Sequence, residues 1–366
     1  MNLESLIRPH LCALEPYAPI VPLEVLSAKL GRTPQDVVKL DANENPYGPS
    51  PKVRAALAEL PYLHIYPDPA NSALRTALAK STGLPFDNLL VGAGASDLID
   101  LILRLFIGPG DAVLNCPPTF SMYAFDAALD AAQIISVARR PNFSLDIDAV
   151  EAAFHLPARR PPPKLIFVAS PNNPDGSALA DGDLRRLLAL PAGVVLDEAY
   201  VEFQGAGASR LAWVLEHDNL MVLRTFSHNA GLAGLRLGYG AFPLSLTPHL
   251  WKIKQPYSVS GAASAAALAA LADPDYTAHT AALLIAERER LAHALAEIPY
   301  LRPYPSHANF VLCRVMGRDA RALKLALEGE GILVRHYASP GIEDYVRISA
   351  GRPEHTDLLI QTLRRL

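Results

Sequence analysis

The feature that most constrains this chain is a rhythm of short apolar runs. From about Asn88 onward they recur as Leu89–Val91, Ala112–Leu114, Ile134–Val137, Leu165–Ala169, Val194–Leu196 and Met221–Leu223. Each ends in turn or polar residues, and stretches with helical spacing, such as Ser96–Ile107, lie between them. This alternation predicts an α/β fold with a mostly parallel sheet flanked by helices. In such sheets ligands sit outside the carboxyl ends of the strands. The polar residues that directly follow the apolar runs are therefore the first candidates for chemistry.

The chain has 366 residues, half of them hydrophobic, which suggests one large core and a smaller second one. The pattern changes near Ser260. Ala262–Leu271 and Ala281–Ile298 read as long helices, followed by the strand-like Asn309–Arg314, a helix over Ala320–Glu328, the strand-like Ile332–Val334 and Tyr345–Ile348, and a last helix to Leu366. This second α+β unit predicts a large domain over 41–260. The small domain comprises 261–366 together with a proline-interrupted arm, 1–40, expected to pack against it. Arg159–Pro163 reads as a surface loop.

Basic and acidic residues number 33 and 37, for a net charge of −4, and no Lys/Arg run stands out, which argues against a nucleic-acid partner. Cys12, Cys116 and Cys313 are few and widely spaced. They argue against a disulfide framework and a zinc site, predict no metal, and fit a reducing cytoplasm. The N-terminus lacks an apolar signal region, and Ala262–Ala272 is too short to span a bilayer, so no membrane association is expected.

Five segments carry the candidate chemistry. Val91–Asp97 joins a strand to a helix through glycines, and the amides of Ala95 and Ser96 would open that helix as a phosphate site. Such turns are common, and most bind nothing. Phe120, after the next strand, could stack on a flat ring or be an ordinary core aromatic. Asn173, in the polar turn Ser170–Gly176, could donate to a ring hydroxyl or merely shape the turn. Asp197 ends a fully apolar strand, where a buried carboxylate is costly unless a cation such as a protonated pyridine nitrogen meets it. A helix-capping role for it is equally open. Tyr200 adds a phenol nearby. Arg224–Tyr239 is the most specific segment: Ser227 and Arg236 can both reach a phosphate, and the small residues Gly231–Gly234 let backbone approach a ligand.

In order and spacing these segments resemble the class I/II aminotransferases, which are fold-type I pyridoxal-phosphate enzymes, and within them the histidinol-phosphate aminotransferases. Further hallmarks are Asn43-Glu44-Asn45-Pro46, Tyr66-Pro67-Asp68, Asn309-Phe310, Gly331–Arg335 and Val346–Gly351. The resemblance runs from Pro16-Tyr17 to the C-terminus. It implies a seven-stranded type of large-domain sheet and pyridoxal 5'-phosphate or pyridoxamine phosphate as cofactor. Ala95, Ser96, Ser227 and Arg236 would hold the cofactor phosphate, Phe120 would stack on its pyridine, Asn173 and Tyr200 would bond its 3-hydroxyl, and Asp197 its ring nitrogen. Tyr66 would reach the phosphate across a homodimer interface. Tyr17, Asn45, Arg335 and Arg347 would bind a small-molecule substrate, a phosphorylated or acidic amine.

One departure bears on catalysis. The family carries lysine directly after the serine that matches Ser227, and this chain has His228 there, eight residues before Arg236, so the register is secure. Lysine holds the cofactor aldehyde covalently and later moves a proton. Imidazole cannot hold the aldehyde stably but can act as a base. His228 therefore fits an engineered inactive variant, a natural histidine-base enzyme with non-covalent cofactor, or a non-catalytic relative. Asp175, Ser258 and Ala95-Ser96-Asp97 are smaller departures. The implied reaction is amino transfer between histidinol phosphate and 2-oxoglutarate in histidine biosynthesis, with His228, Asp197 and Tyr200 as catalytic groups. The alternatives are an aromatic aminotransferase, an amino-acid phosphate decarboxylase, or a protein that holds the cofactor without turnover.

Overall fold

The computed structural model describes residues 2–17, 19–155 and 161–366. Among the described residues, twelve strands form two sheets. In chain order they are β1 (Val38–Leu40), β2 (Leu89–Gly92), β3 (Ala112–Asn115), β4 (Gln133–Ser136), β5 (Pro163–Ala169), β6 (Gly193–Asp197), β7 (Leu220–Thr225), β8 (Gly238–Ala241), β9 (Leu301–Pro303), β10 (Phe310–Val315), β11 (Ile332–His336) and β12 (Tyr345–Ser349).

The large sheet has the order β2-β8-β7-β6-β5-β3-β4. All pairings from β7 to β4 are parallel, and β8 runs antiparallel to both β2 and β7. The apolar runs are continuous because this sheet is covered on both faces. Leu89, Val91, Leu114, Ile166, Val168, Val194, Leu196 and Val222 point to one buried cluster. Their alternating neighbours Leu90, Val113, Leu165, Phe167, Val195, Met221 and Leu223 point to the other. Helices Ser72–Thr82 and Gly261–Leu271 cover the first face, and Ala95–Phe106 and Met122–Leu129 the second.

The second sheet, β1-β11-β12-β10-β9, is antiparallel except for β1 on β11. Its core is closed by Leu291 and Leu295 of helix Pro274–Ala296 and by helices Ala320–Gly329 and Pro353–Arg365. The first of these starts seven residues before the expected Ala281, because proline is tolerated in a first helical turn, where its missing N–H costs nothing. The N-terminal arm divides its contacts. Leu26 and Val37 pack with Leu333 of the second sheet, whereas His10 Nε2 lies 3.1 Å from Leu129 O, and the Tyr17 ring packs edge-on against Phe125, at the large sheet. The loop expected at Arg159–Pro163 falls partly outside the described residues, and Pro163 already belongs to β5.

Strand β8 has no apolar run to announce it. Gly238-Tyr239-Gly240-Ala241 becomes a strand because it fills the gap between β2 and β7, and its glycines are needed there. A Cβ on Gly238 would stand 2.5 Å from Ala95 N, and one on Gly240 would meet Phe242.

Candidate active site

A cavity of about 880 Å³ opens at the carboxyl ends of β2, β3, β5, β6 and β7 and is closed from the other side by β11, β12 and residues Pro16, Tyr17, Pro19 and Ile20. Five turns of the large sheet deliver one end of it and the second sheet delivers the other.

At the first end, β2 runs through Gly92 into helix Ala95–Phe106, whose N-cap, Gly94, offers no side chain to the first-turn amides. Open amides and the helix dipole together favour an anion. Gly94 has φ +92°, and a Cβ there would come within 2.7 Å of Arg236 Nη2. The glycine thus leaves room for a guanidinium against the helix start. Arg236 itself sits at φ +53°, a costly backbone for a non-glycine residue, which turns it into the cavity after the turn Ala233–Leu235. Ser227 is buried beside it, its Oγ accepting from Thr225 Oγ1 at 2.9 Å. Amides, a hydroxyl and a guanidinium converge on a space suited to a phosphate.

Above this pocket, Asp197 ends β6. It is buried and accepts from Tyr123 OH at 2.6 Å and Ala199 N at 3.0 Å. Burial pushes its carboxyl up, while the Tyr123 and Ala199 bonds hold it down. No charged side chain among the described residues offsets that burial. A carboxylate so placed calls for a cation from the cavity. Phe120 forms a wall and stands edge-on to Tyr123, with ring centroids 5.5 Å apart. Asn173 Oδ1 accepts from Arg347 Nη1 at 2.7 Å, which leaves its amide NH₂ for the cavity. Tyr200 OH accepts from Asn43 Nδ2 at 3.0 Å, and burial lifts its phenol to about 12.

His228 follows Ser227. Its ring stacks on Tyr200 with centroids 4.3 Å apart and planes inclined by 20°, and its Nδ1 lies 2.9 Å from Asn43 O. Burial depresses its pKa to about 4, opposed by the Asn43 bond and assisted by the positive charges of Arg347 and Arg236.

At the far end, Arg335 and Arg347 are directly opposed across the β11–β12 pairing. Like charges placed opposite each other in a sheet repel. Both line the cavity together with Tyr17 and Tyr337, and Arg347 Nε is buried without a partner among the described residues. The pair is built to receive an anion.

A family profile described as aminotransferase class I and II matches residues 35–363. The chain belongs to the class I and II aminotransferases. This aminotransferase is 54% identical over 363 residues to histidinol-phosphate aminotransferase 1, chloroplastic, of Arabidopsis thaliana, covering 99% of this chain and 86% of that one. It is 49% identical over 373 residues to the histidinol-phosphate aminotransferase of Roseiflexus castenholzii, covering 100% and 99%. The crystal structure of histidinol-phosphate aminotransferase from Sinorhizobium meliloti in complex with pyridoxal-5'-phosphate superposes with a TM-score of 0.89 at 30% identity, covering 99% of this chain and 98% of that one.

The aminotransferase brings Tyr17, Ala95, Ser96, Phe120, Asn173, Asp197, Tyr200, Ser227, His228, Arg236, Arg335 and Arg347 to one cavity. Two further residues lie outside it, Asn45 against expectation and Tyr66 as a residue expected to act on a second copy's cavity. Asn45 is removed from the cavity wall because its amide is spent on backbone: Nδ2 donates to Asn229 O at 2.9 Å and Oδ1 accepts from Tyr47 N at 3.0 Å. Tyr66 stands outside, 79% exposed, tilted against Tyr257 with ring centroids 4.7 Å apart. The cavity also takes in hydrogen-bonding side chains to which the sequence assigned no role, among them Asn43, Tyr123 and Tyr337. Tyr123 closes the Phe120 segment already singled out, and Asn43 opens the Asn-Glu-Asn-Pro stretch. Either was within reach of a reading that asked which side chain could satisfy Asp197 or Tyr200. Tyr337 follows β11 and carries no signal in the sequence.

Proposed function

We propose that this chain binds pyridoxal phosphate non-covalently and transfers an amino group between histidinol phosphate and 2-oxoglutarate. The observation that carries this reading is the cavity's polarity. Two anion sites, the Gly94–Arg236 cradle and the opposed Arg335–Arg347 pair, bracket a buried, uncompensated Asp197. A planar cation with one phosphate would satisfy the cradle and Asp197 together. The second phosphate or carboxylate of a substrate would satisfy the arginine pair.

When bound, the cofactor supplies an aldehyde that takes up the amine and a ring that accepts an electron pair. The residues of the chain do the rest. The amides of Ala95 and Ser96, with Ser227 and Arg236, hold the cofactor phosphate. Asp197, oriented by Tyr123, favours a protonated ring nitrogen. Phe120 covers one ring face, and Asn173 and Tyr200 hydrogen-bond the ring oxygen. Tyr17, Arg335 and Arg347 orient the anionic end of the substrate, with bidentate guanidinium contacts setting its reach. His228 Nε2 accepts and returns the proton, a task lysine performs in the family pattern.

The reading gives the cofactor to a body over 41–260, whose sheet the structure also covers with helix Gly261–Leu271, and the substrate's anionic end to residues of 1–40 and 261–366. It also pairs the chain with a second copy. Tyr62, Leu63, Ile65 and Tyr66 form an exposed apolar run, 55–84% accessible, that suits burial against a partner from which Tyr66 reaches the cofactor phosphate. Among the described residues no helix is long and apolar enough to cross a membrane, and Cys12, Cys116 and Cys313 are free thiols, which fits the reducing cytoplasm.

The test combines borohydride reduction of the cofactor-loaded protein with peptide mass mapping, sedimentation, and a substrate panel. The proposal expects no pyridoxyl adduct on any lysine, a dimer at micromolar concentration, and amine transfer from histidinol phosphate above aromatic amino acids. Carbon dioxide release from an amino-acid phosphate would replace the transfer reading with decarboxylation. An adduct on Lys254 would refute the non-covalent site.

A further inference from the structure

Asn43 has no role in the reading above, yet more of the site's hydrogen bonds pass through it than through any residue named there. Its backbone is left-handed, at φ +58°, a region asparagine tolerates better than other side chains do. Its N–H donates to Ser349 Oγ at 2.9 Å, and Ser349 Oγ donates back to Asn43 Oδ1 at 2.8 Å. That exchange fixes the amide so that Nδ2 faces Tyr200 OH at 3.0 Å. Its carbonyl oxygen accepts from Asn309 Nδ2 at 2.9 Å and lies 2.9 Å from His228 Nδ1.

We propose that Asn43 is a positioning residue that decides where protons sit on both groups facing the cavity, holding His228 as the Nδ1–H tautomer with Nε2 bare and turning the Tyr200 hydroxyl proton inward. The logic is one of donors and acceptors. A carbonyl oxygen only accepts, so the His228 nitrogen that meets it carries the hydrogen, and in a neutral ring the other nitrogen is then a lone-pair acceptor. An amide NH₂ only donates, so Tyr200 OH accepts there and its own hydrogen points elsewhere, with the cavity on its open side. The two rings are stacked at 4.3 Å, so a proton acceptor and a proton donor stand side by side. The charged or titratable groups acting on His228 are Arg347 and Arg236, and both oppose its protonation, as burial does. The neutral tautomer therefore persists through the physiological range.

The role of these protons in amino transfer rests on the proposed cofactor site, but the tautomer does not, so the two are tested apart. In the cofactor-free chain labelled with ¹⁵N-histidine, the signals lost in His228→Gln identify the ring. The expected pattern is a protonated Nδ1 and a bare Nε2, unchanged between pH 8 and pH 5. Asn43→Gly keeps the left-handed backbone and its carbonyl, so the tautomer stays while Tyr200 loses its donor. Asn309→Ala removes the second donor from that carbonyl, which still only accepts, so the Nδ1–H tautomer stays there too. Asn43→Asp replaces the donor with an acceptor, draws the Tyr200 proton away from the cavity, and weakens pyridoxal phosphate binding about five- to tenfold, the loss of one buried hydrogen bond. A protonated Nε2 in the parent chain overturns the proposal, as does Asn43→Asp with unchanged cofactor affinity. Absence of pyridoxal phosphate binding with the tautomer intact refutes the cofactor reading and leaves the role of Asn43 in fixing the tautomer standing.

Discussion

The two ends of the cavity are built by different means. The cradle end is set by backbone. Gly94 and Gly238 admit no Cβ, Arg236 is held at a left-handed turn, and the amides belong to the first turn of a helix locked in the large parallel sheet. The arginine end is set by long side chains. Arg335 and Arg347 project from neighbouring antiparallel strands of the second sheet, and among the described residues Arg347 is hydrogen-bonded, to Asn173 and to Asp41 O at 2.6 Å, whereas Arg335 meets the Tyr337 ring alone. The comparison teaches that one end can fit a single rigid group, whereas the other can tolerate anions of different length. That division suits an enzyme with a constant cofactor and two different substrates.

The largest effect should come from the group between the two ends. His228→Lys is expected to speed single-turnover conversion of the cofactor by histidinol phosphate about 100- to 10,000-fold, the usual worth of a well-placed acid–base group. Absorbance of the two cofactor forms follows it directly. A lysine version no faster than the parent would make His228 a specialised base for another reaction.

At the rigid end, Asp197→Ala should weaken cofactor retention about 10- to 100-fold, since a hydrogen bond to a charged group is worth roughly 1.5–3 kcal/mol. Equilibrium dialysis against pyridoxal phosphate measures it, and unchanged affinity would reduce Asp197 to a helix cap. At the adaptable end, Arg335→Gln should raise KM for the phosphorylated amine about tenfold while cofactor affinity stays within about twofold. If cofactor affinity fell as much as substrate affinity, the two ends would not be separate.

The smallest effect is on stability against pH. His228 is held neutral in the fold, with a pKa near 4, against about 6.5 when unfolded. Between those values the unfolded chain binds a proton that the folded chain refuses, so stability falls as pH drops from about 6.5 towards 4. The raised Asp197 carboxyl acts with the opposite sign as pH climbs past the unfolded value of 3.8. The difference between the parent chain and His228→Gln isolates the histidine. Urea midpoints at pH 7 and pH 5 should therefore separate more for the parent than for the variant.

Much of this molecule was legible in one dimension. Six strands of the large sheet announced themselves because a sheet covered on both faces needs continuous apolar runs, and the residues after β5, β6 and β7 lie where such sheets expose ligands. The spacing from Ser227 to Arg236 carried the aminotransferase resemblance and the absence of the lysine together. What the sequence could not supply were partnerships between distant segments. Strand β8 exists only because β2 and β7 leave a slot that glycines can enter. Asn43 and Asn45 are two positions apart in one motif, and nothing local says which faces the cavity. The left-handed turn at Asn43 and the bonds from Ser349, Asn309 and His228 decide it. Local pattern fixes which residues are apolar and which can donate or accept. The partners they meet across 157 to 306 residues of chain are settled by packing alone, because a hydrogen bond's direction depends on geometry that no sequence spacing encodes.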